Sequence, residues 1–213
     1  MCMTTTIYLI RHSEPFKTHI GSVNTTESIL LENEKTPLSI DGEKMAEKFS
    51  FLPEFKDLDA IYSSNYARTM STAKYFAHNN NLKVNIDERF NERIHGVDTW
   101  NELPINFEVN QLRNENYKIG YGESKKEVQV RMYSALVSLI SRYKGKRIAI
   151  ISHATAITFL LSMFGEVAYN DDYIYKYKEI EYFNGDWNYL ETFKLEFDEN
   201  NVLQKITNIK NNN

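Results

Sequence analysis

Cysteine is almost missing from this 213-residue chain, which carries a single one, Cys2. One thiol cannot close an internal disulfide and offers no zinc-ligand spacing. Its place beside the N-terminus marks it as an incidental thiol rather than a nucleophile. There is no basic excess either. The formal net charge is −4, so nothing is in surplus to neutralise a nucleic-acid backbone. A small phosphorylated ligand stays admissible, because two or three local arginines hold one phosphate whatever the global charge. No apolar run reaches membrane-spanning length. The opening MCMTTTIYLIRH lacks a basic n-region, and its apolar stretch is too short for a signal peptide. No nucleic-acid partner, no membrane partner and a cytoplasmic location are therefore expected. What is present, 42% apolar and 25% charged residues, describes an ordinary globule able to bury a core without staples.

Periodicity divides the chain into alternating strands and helices. Thr5 to Ile10 is short, apolar and β-branched, and reads as a buried strand running straight into Arg11-His12-Ser13. Ser39 is an N-cap candidate, with Asp41 and Glu43 in the first turn and Met45, Phe49 and Leu52 as the apolar stripe. A strand over Asp59 to Tyr62 precedes a helix with Tyr66, Met70, Ala73 and Ala77 on one face, and Leu82 to Ile86 is a further strand. Ser124-Lys-Lys-Glu127 forms a capping box ahead of Val128, Met132, Ala135 and Leu139. Arg147 to Ser152 is the clearest buried strand, and it leads through His153 into an apolar helix over roughly Thr155 to Phe164. Such alternation implies an α/β sandwich with a largely parallel sheet. After Glu179 the pattern changes. Asn184-Gly185 and Glu199-Asn200-Asn201 read as hairpin turns, so antiparallel strands are expected over 179–208. The stretch 97–122 has weak periodicity and reads as an irregular or partly helical insertion or lid. Lys210 to Asn213 reads as a frayed end. No repeat or linker divides the chain, so one domain over 1–213 is expected.

In such sheets ligands bind beyond the carboxyl ends of the strands. The polar residues there are Arg11 and His12, then Ser63, Ser64 and Arg68, then Glu92, then His153. Each has an ordinary structural reading when taken singly; together at successive strand ends they suggest phosphoryl chemistry. Arginine forks stabilise a phosphoryl group in flight. A neutral imidazole can attack phosphorus. A second histidine, when protonated, adds charge and a donor. The helix after His153 is expected to aim its N–H groups at the anion. Glu92 can supply the leaving alkoxide's proton.

The residues also carry a resemblance. LIRHSEP at Leu9 to Pro15 resembles the RHG signature of the histidine phosphatase superfamily, the phosphoglycerate mutase-like family. LSIDGEKMAE from Leu38 resembles its L-S/T-x-x-G-x-x-x-A element, and IYSSNYARTMSTA from Ile61 its S-S-x-x-x-R-x-x-x-T-A element. FNERIHG from Phe90 resembles N-E-R-x-x-G, YGESKKEVQVRM from Tyr121 the G-E-S stretch, and IAIISHATAI from Ile148 the segment of the second histidine. These elements stand in family order across most of residues 5 to 160. The resemblance implies a three-layer α/β/α sandwich with a mixed, mostly parallel sheet. It implies a metal-independent phosphatase, with no cofactor, that acts on a small phosphorylated metabolite. It makes His12 the phosphate acceptor, Arg11, Arg68 and His153 the phosphate pocket, and Glu92 the proton donor and later base for water. Ser13, Thr18 and Ala154 join the pocket by position. Three departures stand out: Ser13 and Ala154 replace usual glycines, and Thr18 replaces the asparagine that mutase-like members often carry. Alternatives are a phosphoglycerate mutase and a non-catalytic domain that binds phosphorylated partners. A homodimer is compatible with all of these.

Smaller signals stay open. Lys17 and His19 are read as exposed loop residues, His95 either lines the pocket or packs the loop, and His78 ends a helix. Trp100, Phe107, Tyr117 and Tyr121 form either an aromatic lid or ordinary core beneath the insertion. The tyrosines from Tyr169 to Tyr182 are assigned to strands.

Overall fold

A computed structural model describes residues 4–16, 28–170 and 172–209. The elements are β1 (Thr5–Arg11), α1 (Ile29–Lys35), α2 (Ile40–Ser50), β2 (Ala60–Ser63), α3 (Ala67–Asn79), β3 (Val84–Ile86), α4 (Phe107–Arg113), α5 (Lys125–Arg142), β4 (Arg147–Ser152), α6 (Ala154–Leu161), β5 (Glu166–Asn170), β6 (Asp172–Tyr177), β7 (Ile180–Gly185), β8 (Thr192–Phe197) and β9 (Leu203–Ile209). The main sheet has the order β3-β2-β4-β1-β8-β9. The first four of these pair in parallel, and β8 and β9 close the edge antiparallel. The result is the mixed, mostly parallel α/β sandwich expected.

The layering follows from strand alternation. In β1, Ile7 and Leu9 face Met132, Leu136 and Leu139 of α5 and Ile157 and Leu160 of α6. Tyr8 and Ile10 face the other way, toward Phe49 of α2 and Ala73 and Phe76 of α3. All four β1 side chains are fully buried, which is why the strand reads as an unbroken apolar run. Each contributes on the order of 1.5–3 kcal/mol through burial. A separate sheet, β5-β6-β7, packs Tyr175 and Phe183 against the α5–α6 side.

Local chemistry explains most boundaries. Ser39 caps α2 through the Gly42 N–H, and the capping box at Ser124 and Glu127 is fully formed. Several expectations fail in detail. Leu52 lies beyond α2 and is exposed, and Met70 faces solvent while Thr69, Thr72 and Phe76 take the buried face of α3. Asn184-Gly185 ends β7 instead of turning. The hairpin turn between β6 and β7 falls at Lys178 and Glu179, both at positive φ (50° and 63°). Backbone pairing across β6 and β7 stabilises left-handed residues that carry no glycine signal. The second turn signal is correct, since Asp198 to Val202 joins β8 to β9 around Asn201 at φ 63°. Within 97–122 the only α-helix is the short α4. Lys17, Thr18, His19, Cys2 and the end from Lys210 lie outside the described residues.

Candidate active site

Register brings the strand tips together. Arg11 at the end of β1 pairs with Ser152 at the end of β4, and Ser63 at the end of β2 pairs with Ile151. β2 therefore delivers Ser64 and the start of α3, while β4 delivers His153 and the start of α6, to one crevice. The crossovers on the two faces diverge here, as at the switch point of open α/β sheets.

His12 and His153 meet edge to face, with ring centroids 5.3 Å apart. Both are buried. Hydrogen bonding fixes their tautomers. His12 Nδ1 lies 2.7 Å from the Ser13 carbonyl, which only accepts, so Nδ1 carries the proton and Nε2 keeps its lone pair. Arg68 Nη2 donates to His153 Nδ1 at 3.0 Å, so His153 carries its proton on Nε2 and donates to Ser64 Oγ at 2.9 Å. Ser64 continues to Thr69 Oγ1 at 2.6 Å, which donates to the Tyr66 carbonyl at 2.8 Å. Burial first, then the charges of Arg68 and Arg11, holds His12 well below the ordinary imidazole range. Burial, then Arg68, does the same for His153. The second histidine is thus a neutral acceptor from Arg68 and does not add the charge that a protonated ring would supply.

Arg68 is buried and Arg11 half-buried, and main-chain carbonyls anchor both. Arg68 Nη1 donates to Asn33 of α1, and its guanidinium lies over Tyr66, 5.1 Å from the ring centroid. Arg11 Nη1 donates to the Trp187 carbonyl at 3.0 Å, its guanidinium lies 4.7 Å from the Tyr189 centroid, and its buried Nε has no partner among the described residues. An unpaired buried donor is costly unless a ligand takes it.

Glu92 is coupled electrostatically to both arginines. Its Oε1 accepts from the Arg93 N–H at 2.9 Å and the Ala156 N–H at 3.0 Å, and its Oε2 from the Thr155 N–H at 3.3 Å. Of the α6 N–H groups expected to face an incoming anion, those of Thr155 and Ala156 are therefore taken by a carboxyl group of the protein itself.

The glycine replacements cause no backbone strain, as neither Ser13 nor Ala154 has positive φ. Ser13 is fully buried, and it is spent on structure. Its hydroxyl donates to the Gly42 carbonyl at 2.7 Å and its N–H to Thr72 Oγ1 at 3.0 Å. Neither donor is available to a ligand, so the positional argument for Ser13 as a binding group fails in its chemistry. Ala154 opens α6 beside His153 and offers no side-chain donor. Gly42 is required for this packing, because a Cβ there would lie 2.1 Å from the Glu14 carbonyl oxygen.

Sequence reasoning gave Ser64 no role and missed Tyr189, which faces both Arg11 and His12 (6.5 Å between rings). It also missed Arg93, buried over Phe107 and paired with Glu108. His95 packs between Trp100 and Phe107 and accepts from Arg93 Nη2 at 3.3 Å. Burial, then Arg93, lowers its pKa. Phe107 is core beneath the insertion, with the Tyr117 ring tilted against it, whereas Trp100 and Tyr121 are surface residues. His78 lies in the last turn of α3, away from these groups. Among the described residues no three His, Cys, Asp or Glu side chains gather as a metal set would, and no helix is long and apolar enough to cross a membrane.

Comparison with known proteins gives the family and the fold. The probable phosphoglycerate mutase GpmB of Escherichia fergusonii is 29% identical over 163 residues, 73% of each chain. A mycobacterial glucosyl-3-phosphoglycerate phosphatase superposes with a TM-score of 0.68 at 15% identity, over 91% of each chain. A phosphoserine phosphatase from Entamoeba histolytica, solved with phosphoserine, gives 0.66 at 19% identity over 95% of this chain and 96% of its own. These last two likenesses concern the fold. The family model of the histidine phosphatase superfamily, branch 1, matches residues 7–193, an interval that contains both histidines, both arginines and Glu92, and the chain belongs to that superfamily.

Proposed function

We propose that this protein is a metal-independent phosphatase of small phosphomonoesters that works through a phosphohistidine on His12. The observation that carries the reading is the tautomer of His12. A proton fixed on Nδ1 by the Ser13 carbonyl leaves the Nε2 lone pair free beside the guanidiniums of Arg68 and Arg11. Nε2 attacks phosphorus, the P–O bond to the alcohol breaks, and Glu92 gives the departing oxygen a proton. Oε2 is the less engaged of its oxygens and is the one assigned to carry that proton. Water then attacks the phosphohistidine, Glu92 takes its proton, and inorganic phosphate leaves. Arg11 and Arg68 hold the equatorial oxygens throughout. A dianion in the pocket competes with His153 for Arg68, freeing His153 Nδ1.

The test is rapid acid-free quenching with ³²P-labelled phosphomonoester and peptide mapping. Label on the peptide containing His12, lost from His12→Ala, is expected; label elsewhere, or turnover without label, overturns the reading. EDTA should leave kcat unchanged, and loss of activity would reveal a required metal. The named relative favours one second reading, phosphoglycerate mutase-type transfer. Isomer conversion exceeding phosphate release on a phosphoglycerate would establish it.

A further inference from the structure

The G-E-S stretch ahead of α5 plays no chemical part in the site above, yet it encloses the Glu92 loop. Arg131, on α5, spends all five guanidinium N–H donors there. Nε donates to Glu123 Oε1 at 2.7 Å, and Nη1 to the carbonyls of Arg89 and Asn91, each at 2.9 Å. Nη2 donates to the Glu92 carbonyl at 3.2 Å and to Glu123 Oε2 at 2.9 Å. Glu123 in turn clasps the far side of the loop. Its Oε2 accepts from the Ile94 N–H at 3.0 Å and its own N–H donates to the Ile94 carbonyl at 2.9 Å. The chain crosses itself tightly at this point. A Cβ on Gly96 would lie 2.0 Å from the Ile119 oxygen, and one on Gly122 would lie 2.7 Å from the His95 oxygen.

We infer that Arg131, braced by Glu123, is a positioning residue that sets the carboxyl of Glu92 against the departing oxygen. The inference rests on the phosphatase reading. Arg131 has no donor left for a substrate, so its hydrogen-bonded route to the site is the loop it holds. Glu92 is pinned at its carbonyl by Arg131 and at its carboxylate by the N–H groups of Thr155 and Ala156. The clamp thereby fixes the acid relative to His153, which caps the same helix. Misplacing a reacting group by about 1 Å costs on the order of 10²-fold. A lysine cannot replace the fork, because its three donors radiate from one point.

The test compares kcat/KM, which reports steps through departure of the alcohol, for p-nitrophenyl phosphate and for β-glycerophosphate. The aryl alcohol leaves without help, whereas the alkyl alcohol needs the acid. Arg131→Gln and Arg131→Lys should lose about thirtyfold or more on the alkyl ester and about threefold or less on the aryl ester. Arg131→Gln added to Glu92→Gln should cause little further loss. Equal losses on both esters, additive losses in the double variant, or unchanged alkyl turnover overturn the inference. If Arg131→Gln does not fold, Glu123→Gln carries the same comparison, with the same alkyl-selective loss expected. A wild type inactive on both esters overturns the phosphatase reading and this inference with it. An active wild type with uniform losses overturns the inference alone.

Discussion

Two buried regions share helix α6 and use burial oppositely. At its N-terminal end lie His12, Arg11, Arg68 and His153, polar groups whose partners leave a lone pair on His12 and an unpaired donor on Arg11. One turn further on lies the aromatic cluster of Tyr175, Phe183, Trp187 and Phe193, with centroids of Tyr175 5.1 Å from Phe183 and 5.5 Å from Phe193. There the polar atoms of Tyr175 and Trp187 close on each other, as Tyr175 Oη meets Thr158 Oγ1 at 2.7 Å and accepts from Trp187 Nε1 at 2.8 Å. Desolvation without full pairing keeps reactive groups ready for a ligand. Desolvation with full pairing adds only packing. The first region should be dispensable to the fold and the second to the chemistry.

The strongest way to break that contrast is His12→Ala. Loss of a nucleophile typically costs about 10⁴-fold or more in kcat. The variant should melt near the wild-type temperature, because His12 belongs to neither apolar core cluster. Retained turnover would remove His12 from the mechanism, and a large fall in Tm would show that the site is structural after all.

The mirror experiment is Tyr175→Ala. Emptying a fully buried aromatic position costs about 3–5 kcal/mol. Urea unfolding should show that loss, while activity per folded molecule stays near wild type. A specific activity falling in step with stability would join the two regions into one unit.

The same contrast explains what could be read before folding. β1 and β4 were legible because both faces are covered, so their apolar runs are unbroken. Ser39 and Ser124 were legible because a cap is local chemistry. Arg11, His12, Arg68, Glu92 and His153 share the property of following a strand, and parallel register turns that into proximity. Arg131 and Tyr189 follow no strand end into the crevice. Their places depend on how α5 lies against the Glu92 loop and on the turn before β8, which are long-range contacts. The Lys178-Glu179 turn was hidden because neither residue is a usual left-handed one. Met70 and Leu52 matched helical spacing, but the buried face of α3 is slightly rotated and α2 ends before Leu52.

Acidification sharpens the comparison from the stability side. Both site histidines have folded pKa values below the unfolded value near 6.5. The unfolded chain therefore binds more protons as pH falls, and their contribution, fully present above the unfolded pKa, is lost below it. Each group contributes a slope of at most about 1.4 kcal/mol per pH unit. Urea midpoints measured between pH 7 and pH 5 should fall, and the fall should be shallower in His12→Ala. In Tyr175→Ala the slope should match wild type, because a tyrosine does not titrate in that window. An unchanged slope in His12→Ala would mean that His12 is not held neutral by the fold.

Ser64→Ala is the smallest of these changes and the one that asks whether the polar region is tuned or merely polar. Ser64 Oγ accepts the Nε2 proton of His153 and so keeps Nδ1 facing Arg68. Removing the hydroxyl leaves a buried N–H unpaired, at a cost of roughly 1 kcal/mol, and permits the other tautomer. The flipped ring would present an N–H to Arg68 and repel it. Turnover should fall about tenfold, with KM rising more than kcat falls, because a displaced Arg68 weakens phosphate binding first. Ser64→Thr, which restores an acceptor, should recover most of the loss. A variant indistinguishable from wild type in KM would show that Arg68 alone orients the second histidine.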